Sequence, residues 1–310
     1  MTIPLHPRAE AHGKVIVLGE HAVVYGYPAV AAGLPQGIVL EASPRPDPRL
    51  PITLTIPAWD LDLELHAGSD HPVARACLEV LAHCDGPVTG WALHGASALP
   101  ARAGLGSSAA LTVALARLVF GPDASIDDVV AASLAGERVF HGEPSGLDSR
   151  VAAQGGVLRY VRGEPPRSIV PGAPLPLCII PSGIPRSTAD QVARCRSRLE
   201  HLPSVVRPVL IAIGQAVESG IHAIEHGDLD TLGVLFDVAH GLLGALDVSS
   251  PALDRMAADA RAAGARGAKL TGAGCGGCLL ALAGDAPDAA ARLTAAFPTL
   301  RPLFVEVAAS

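Results

Sequence analysis

The stretch that decides the fold is Pro100-Ala-Arg-Ala-Gly104-Leu-Gly106-Ser107-Ser108-Ala109-Ala110, which precedes the apolar run 111–120. Its two glycines permit a tight turn, its two serines supply hydroxyl groups, and the composition from Ala109 onward predicts a helix. The unpaired N–H groups and the positive dipole end of that helix would face the turn. This arrangement suits an anion such as phosphate, although a plain structural turn has the same local pattern.

The whole string resembles the second motif of the GHMP kinases, in which Pro-x3-Gly-Leu-Gly-Ser-Ser-Ala wraps the phosphates of ATP. The common nucleotide loop Gly-x4-Gly-Lys-Ser/Thr is excluded, because this chain has no lysine at the required place. Ser97 precedes the loop in a Ser-x-x-Pro pattern and is a further candidate. The resemblance implies that the cofactor ATP is bound by Ser97, Arg102, Ala103, Gly104, Leu105, Gly106, Ser107 and Ser108.

Composition narrows the class of protein. The chain has 310 residues and a formal net charge of −7, which argues against nucleic acid or an anionic membrane as the main partner. No uncharged apolar run of about 18 residues appears, and the N-terminal residues lack a signal-peptide pattern, so we expect a cytoplasmic protein. The six cysteines are scattered and are expected to be reduced thiols. Cys275-Gly-Gly-Cys278 has the spacing of half a zinc site, but no second pair follows.

A second informative stretch runs from Gly13 to Gly26. An apolar strand-like run, 15–18, is followed by the polar elbow Gly19-Glu20-His21. Local pattern alone favours a hairpin with a solvated tip. The segment nevertheless resembles the first motif of the mevalonate kinase branch, Gly-Lys-Val-Ile-Leu-x-Gly-Glu-His-Ala-Val-Val-x-Gly. One departure is that Ala11-His12 stands where the family commonly has Ala-Pro.

A third stretch surrounds Asp148. His141-Gly-Glu-Pro-Ser-Gly-Leu-Asp148-Ser-Arg-Val151 resembles the mevalonate kinase string His-Gly-x-Pro-Ser-Gly-x-Asp-x-x-Val. In that family the Asp is the catalytic carboxylate, and a Glu eleven residues earlier, here Glu137, is a magnesium ligand. Glu137 lies near the end of a predicted helix, where a carboxylate gains nothing from the helix dipole. A salt bridge with Arg138 or Arg102 is the alternative explanation for its presence.

The last glycine-rich stretch is Lys269-Leu-Thr-Gly272-Ala-Gly274-Cys-Gly-Gly277-Cys278. It contains the dinucleotide pattern Gly-x-Gly-x-x-Gly, but an apolar strand follows it instead of a helix, so a dinucleotide site is not expected. It resembles the third GHMP motif, which closes over the phosphate region, and Gly274 is therefore a candidate ATP contact.

Periodicity and turn residues predict strands and helices along the chain. We expect the segment 163–176, rich in Pro and Gly, to connect two domains, 1–168 and 169–310. By resemblance the fold is a two-domain α+β GHMP kinase fold, with an N-terminal half like ribosomal protein S5 domain 2, a ferredoxin-like C-terminal half, and an active site in the cleft between them. Strands are expected at 15–18, within the alternating segment 37–66, for example at 37–42 and 52–56, and at 156–161, 175–180, 278–282 and 302–307. Helices are expected at 71–83, 124–140, 187–198, 203–226, 228–246, 250–263 and 286–297.

The resemblance implies phosphorylation of the 5-hydroxyl of mevalonate by ATP in isoprenoid biosynthesis. Asp148 and Lys14 would be catalytic, Ser108 and Glu137 would bind Mg²⁺, and Glu20, His21 and Arg159 would contact the substrate. The expected partners are small molecules only, and a homodimer is compatible with the family. Alternatives are another GHMP kinase acting on phosphomevalonate, homoserine or a sugar, and a non-catalytic nucleotide sensor. A decarboxylase of the same fold is disfavoured by the kinase-like motifs.

Overall fold

The computed structural model describes residues 4–98, 104–142, 144–185 and 187–308. The described chain forms two compact units. The first contains the described residues of Met1–Lys14, Gly33–Ala101 and Leu105–Gly155, and the second contains those of Val15–Ala32, Arg102–Gly104 and Gly156–Ser310. The expected domain boundary between residues 168 and 169 stays a prediction.

A mostly antiparallel sheet forms one layer of the first unit. Its strands lie in the order β4, β3, β5 and β2, and only the pairing of β3 with β5 is parallel. Buried and exposed residues alternate along β3, as expected for a sheet with one covered face. The strands are β1 (Arg8–Leu18), β2 (Ala29–Pro44), β3 (Ile52–Ile56), β4 (Leu61–Leu65) and β5 (Trp91–Ser97), and both β1 and β2 continue into the second unit.

Four helices complete the first unit: α1 (Pro72–His83), α2 (Ser107–Phe120), α3 (Ile126–His141) and α4 (Leu147–Gln154). Helix α2 is central, since it contacts each of the other three and buries ten of its side chains. Its alanines, such as Ala109, Ala110, Ala114 and Ala116, allow this close packing on all sides. The site residues described below lie at the ends of these helices.

The second unit is built on two sets of paired strands. Ala29–Ala32 of β2 pair with β6 (Val157–Tyr160), which pairs in turn with β7 (Arg167–Ile169). A separate antiparallel sheet has the order β11, β8, β10, β9, which is the strand order of a ferredoxin-like domain. Its strands are β8 (Leu175–Pro181), β9 (Gly267–Thr271), β10 (Cys278–Leu282) and β11 (Leu303–Val307).

The helices of the second unit are α5 (Thr188–His201), α6 (Pro203–His226), α7 (Leu229–Ala245), α8 (Pro251–Ala262) and α9 (Ala289–Ala296). Ser187 and Ser250 cap α5 and α8 by accepting hydrogen bonds from backbone N–H groups. Among the described helices, α6 is the one whose length and composition could cross a membrane. It packs against α7 through a buried face, and core helices of this kind satisfy the same test.

The predicted α+β class is confirmed, and the predicted helices and strands are present. Most of their ends shift by a few residues, whereas β1 and β2 begin about seven and eight residues before the predicted strands. Helix α2 begins at Ser107, two residues before the predicted start, because the left-handed Gly106 precedes it directly. The sequence analysis missed β5, α4, β7 and β9. The segment 163–176 contains β7, which pairs with β6, and its role as the connection between two domains stays a prediction.

Candidate active site

The start of α2 forms the backbone of the site. Gly104 and Gly106 both have positive φ, at 79° and 77°, so the chain makes the tight turn that the two glycines predict. Gly106 is the N-cap and offers no side chain to the first helical N–H groups. The N-cap side chain therefore does not compete for this end of the helix, where the helix dipole favours an anion.

Lys14 crosses the start of α2. Its backbone N–H donates to the carbonyl oxygen of Leu105 at 2.8 Å, which ties β1 to the glycine turn. A Cβ atom placed on Gly106 would lie 2.8 Å from the Cγ atom of Lys14. Glycine is thus required here twice, for its positive φ and for the passage of the lysine side chain.

The lysine and aspartate predicted to be catalytic form an ion pair. The distance between Lys14 Nζ and Asp148 Oδ1 is 3.1 Å. The side chain of Lys14 is 7% exposed and that of Asp148 is 38% exposed, so the ammonium is buried while the carboxylate faces solvent. Asp148 lies in the first turn of α4, after the left-handed Gly146, where the helix dipole favours its negative charge.

Glu137 lies in the last turns of α3 and is almost completely buried. Burial, supported by the charge of Asp148, raises the pKa of Glu137 to about 7, although the Ser108 hydroxyl and Lys14 act in the opposite direction. Its Oε1 atom has no hydrogen-bond partner among the described residues. A buried carboxylate oxygen without a partner is unfavourable, and a cation would relieve it.

The neighbour of Glu137 is His141, with Nε2 lying 3.7 Å from Glu137 Oε2. Burial lowers the pKa of His141, although Asp148 raises it in part, so the ring is mainly neutral at pH 7. Within the described residues Glu137 therefore lies beside a mainly neutral imidazole, and it does not form the salt bridge with Arg138 that the sequence left open. The other alternative, Arg102, lies outside the described residues.

Some of the other residues predicted to bind the phosphates lie at the start of α2, and others do not. Ser107 and Ser108 are the first two residues of α2. Ser97, at the end of β5, donates its hydroxyl to the carbonyl oxygen of Gly37 at 3.0 Å. Arg102 and Ala103 lie outside the described residues.

The polar elbow Gly19-Glu20-His21 belongs to the second unit and is buried. Glu20 is 1% exposed and His21 is 6% exposed, so the solvated hairpin tip favoured by local pattern is wrong. A short 3-10 helix, Ala22–Tyr25, follows the elbow. His21 has a φ of 61°, and its Nε2 lies 2.9 Å from the carbonyl oxygen of Ala273.

The sequence analysis gave no role to Lys269, which proves to be the partner of Glu20. Its ammonium is fully buried on β9, donates to Glu20 Oε1 and donates to the carbonyl oxygen of Leu270 at 3.0 Å. Burial lowers the pKa of Lys269, and Glu20 offsets part of this effect. The lysine opens the third glycine motif, and that was the only signal for it in the sequence.

Gly274 and Arg159, which were predicted to contact ATP and the substrate, both have close contacts within the protein. A Cβ atom on Gly274 would lie 1.9 Å from the carbonyl oxygen of Val248, so this glycine admits a close approach of the protein's own backbone. Arg159 lies on β6 and pairs with Glu218 at 2.9 Å and Glu164 at 3.3 Å. A substrate carboxylate would have to compete with these two side chains.

The cysteines carry no evident chemistry in the described chain. All six are free thiols, and five of them are buried. The described residues contain no group of three or more His, Cys, Asp or Glu side chains that could hold a metal ion.

Comparison with known proteins identifies the class. The model of the GHMP kinases N-terminal domain matches residues 72–156, and the model of the C-terminal domain matches residues 221–299. A mevalonate kinase of Aeropyrum pernix is 37% identical over 293 residues, covering 89% of this chain and 88% of its own length. One of Pyrococcus furiosus is 35% identical over 297 residues with the same coverage.

A solved structure of L. major mevalonate kinase in complex with R-mevalonate superimposes with a TM-score of 0.86 at 26% identity, covering 100% of this chain and 98% of that one. The fold and the matched domains define a GHMP kinase. Within that superfamily, the chain belongs to the mevalonate kinase family.

Proposed function

We propose that this protein transfers the γ-phosphoryl group of ATP to the 5-hydroxyl of (R)-mevalonate, giving 5-phosphomevalonate and ADP. The observation that carries the proposal is the ion pair of Lys14 and Asp148 beside the start of α2. Further support comes from the relatives named mevalonate kinase and from the solved relative described as a complex with R-mevalonate.

Asp148 accepts the proton of the attacking hydroxyl. A carboxylate is a weak base for an alcohol, so the proton moves late, as the bond to the leaving oxygen loosens. Its 38% exposure leaves the carboxylate open to a substrate while Lys14 fixes its position. Orientation of the hydroxyl is therefore as important as removal of its proton.

Lys14 stabilises the charge that spreads over the transferred phosphoryl group. Its ammonium is 7% exposed, and poor access to water strengthens its interaction with nearby anions. The phosphates of ATP would be held at the start of α2, where Gly104, Leu105, Gly106 and Ser107 lie. Arg102 and Ala103 complete the loop in this proposal.

The residues present fit a magnesium ion. Glu137 supplies a buried carboxylate oxygen without a partner, and Ser108 supplies a hydroxyl close enough to influence its pKa. Mg²⁺ prefers hard oxygen ligands and keeps several waters, so two protein ligands are sufficient. When bound, Mg²⁺ neutralises charge on the phosphates of ATP.

Glu20 and His21 hold mevalonate, and Gly274 contacts the nucleotide. The buried pair of Glu20 with Lys269 keeps a fixed acceptor oxygen at the elbow. Arg159 could pair with the mevalonate carboxylate only by releasing Glu218 or Glu164. We also propose that the enzyme works in the cytoplasm. The family is compatible with a homodimer, and light scattering, which measures the molar mass in solution, tests for one.

The test is ADP release in a coupled assay at saturating MgATP. We expect turnover with (R)-mevalonate and at least about a hundredfold lower kcat/KM with phosphomevalonate, homoserine and galactose. Faster turnover with another alcohol would reassign the substrate within the GHMP kinases. No turnover with any alcohol, together with measurable ATP binding, would support the nucleotide sensor.

A further inference from the structure

A chain of three buried hydroxyl groups joins three helices of the first unit. Thr112 on α2, Ser133 on α3 and Ser149 on α4 are 0%, 0% and 1% exposed. Thr112 Oγ1 lies 2.8 Å from Ser133 Oγ, and Ser133 Oγ donates to Ser149 Oγ at 2.9 Å. Thr112 Oγ1 is also 3.1 Å from the carbonyl oxygen of Ser108.

Each hydroxyl lies next to a proposed site residue on its own helix. Thr112 is one turn after Ser108, Ser133 is one turn before Glu137, and Ser149 directly follows Asp148. The hydroxyl chain thus links the backbone segments that carry the proposed metal ligands and the proposed catalytic carboxylate.

The helices approach closely at the same point. A Cβ atom on Gly136 would lie 2.7 Å from Thr112 Cγ2, 2.8 Å from Val80 Cγ2 and 2.9 Å from the carbonyl oxygen of Ala76. Gly136 precedes Glu137 in α3, so the missing side chain lets α3 pack against α1 and α2 beside the site. This contact sets the distance between the helices, but apolar packing alone fixes their rotation weakly.

The hydroxyl groups supply the directional restraint. Ser133 has one proton and two lone pairs, so it donates to Ser149 and accepts the single proton of Thr112. In that arrangement the carbonyl oxygen of Ser108 is a close neighbour of Thr112 Oγ1 and not its hydrogen-bond acceptor. Hydrogen bonds require defined distances and angles, which restrict the rotation and the axial shift of each helix. The surrounding core is almost entirely aliphatic, and apolar residues of the same size could replace such a network with little loss of stability.

We propose that Thr112, Ser133 and Ser149 are positioning residues that set the relative places of Ser108, Glu137 and Asp148. This inference rests on the proposed function for the roles of those three side chains. A loss of the hydroxyl chain should leave the fold intact and shift the carboxylates relative to the start of α2.

Thr112 offers a matched pair of variants. Thr112→Val removes the hydroxyl and keeps the shape, whereas Thr112→Ser keeps the hydroxyl and removes the methyl group that lies against Gly136. We expect Thr112→Val to lower kcat about tenfold with little change in the KM for ATP, because small displacements of reacting groups are costly. Thr112→Ser should keep kcat within about twofold of the wild type even though it loses packing.

A readout apart from activity is the effect of Mg²⁺ on ATP binding, measured by calorimetry with and without the cation. The ratio of the two Kd values should fall about fivefold or more in Thr112→Val and stay unchanged in Thr112→Ser. This readout is available even if mevalonate proves to be the wrong acceptor, so failure of the proposed function and failure of the positioning role remain distinguishable.

Ser133→Ala breaks both hydrogen bonds and should reproduce the loss seen in Thr112→Val. Its control is Val129→Ala on the same helix, which opens a cavity in the core and removes none of the three hydroxyl groups. Val129→Ala should lower Tm and leave both kcat and the Kd ratio unchanged. Equal kcat and equal Kd ratios in Thr112→Val, Thr112→Ser and the wild type would overturn the inference.

Discussion

In the proposed function, the protonation of Glu137 controls when the site can bind a divalent cation. Its carboxyl is buried, and burial raises its pKa from 4.5 to about 7. Below pH 7 the group is therefore largely protonated in the free enzyme, and a cation must displace the proton before it can bind. The same raised pKa means that the free protein loses stability as the pH rises from 4.5 to 7, because the carboxyl of the unfolded chain ionises in that range while the buried carboxyl keeps its proton.

We predict that Mg²⁺ affinity, measured with ATP present, rises about tenfold per pH unit up to pH 7 and levels off above it. Calorimetry in two buffers of different ionisation enthalpy should detect a proton released on binding at pH 6. Glu137→Gln should bind Mg²⁺ weakly and without this pH dependence. An affinity that is constant between pH 5.5 and 8 in the wild type would contradict the assignment.

We predict that Lys14→Met lowers kcat about a hundredfold or more while ATP binding remains measurable, because it removes a buried positive charge near the transferred group. Steady-state kinetics and calorimetry measure the two quantities. Arg8→Met is the control, since Arg8 is exposed and pairs only at the surface with Glu10. Turnover of Lys14→Met close to that of Arg8→Met would exclude a catalytic role.

At the residue scale, the sequence predicts single side chains better than their partners. The motifs name Lys14 and Asp148 as catalytic residues, and the structure places their charged atoms 3.1 Å apart. Their catalytic roles stay predictions. Lys269 was missed because its role depends on a residue 249 positions away. Ser133 was missed because nothing in a helical sequence distinguishes a buried serine from an exposed one.

The start of α2 is the element on which the site depends. Gly106 has a φ of 77° and no room for a Cβ atom beside Lys14, so its substitution affects both the helix start and the lysine. Helix α2 follows a turn with a positive φ, and its first N–H groups are positioned correctly only if the turn residue tolerates that φ, as glycine does.

We predict that Gly106→Ala lowers stability by about 1–3 kcal/mol and lowers kcat/KM for ATP at least about tenfold. Gly163→Ala is the control, because Gly163 has a φ of 89° and open space around its Cβ position. Gly163→Ala should lower the stability only by the cost of placing alanine at a positive φ, and it should leave kcat/KM for ATP unchanged. Equal effects of the two variants on kcat/KM would show that the contact with Lys14 is unimportant.

The elements that the sequence did not predict have physical explanations. Strand β5 contains Gly95 and no Val, Ile or Thr, and it is extended because β2 and β3 pair with it on both sides. Helix α4 has only eight residues and follows a turn, so its periodicity is too short to recognise. Strand β7 has three residues in a segment dominated by turn residues.

At the scale of the whole molecule, the fold class was predictable because three motifs spread across the chain resemble one family. Tertiary pairing was not predictable in the same way. In the second unit, Glu20 and Lys269 form a fully buried ion pair that joins the elbow to β9. Removal of one member of such a pair leaves an uncompensated charge in the core.

We predict that Lys269→Met lowers the free energy of unfolding by about 3–5 kcal/mol, whereas the double variant with Glu20→Gln recovers part of the loss. Urea denaturation measures both. Arg167→Met, which breaks an exposed pair with Glu225, should change the free energy of unfolding by less than about 1 kcal/mol. A loss in Lys269→Met no larger than in Arg167→Met would mean that the buried pair is not stabilising.

The central claim is that Asp148, held by Lys14 beside the start of α2, directs phosphoryl transfer to mevalonate. The most direct test follows the formation of 5-phosphomevalonate by phosphorus NMR with MgATP, in the wild type and in Asp148→Asn. The account predicts conversion by the wild type and a rate at least about a hundredfold lower in Asp148→Asn, with ATP binding retained. Equal rates of product formation by the two proteins, or no product from the wild type, would contradict it.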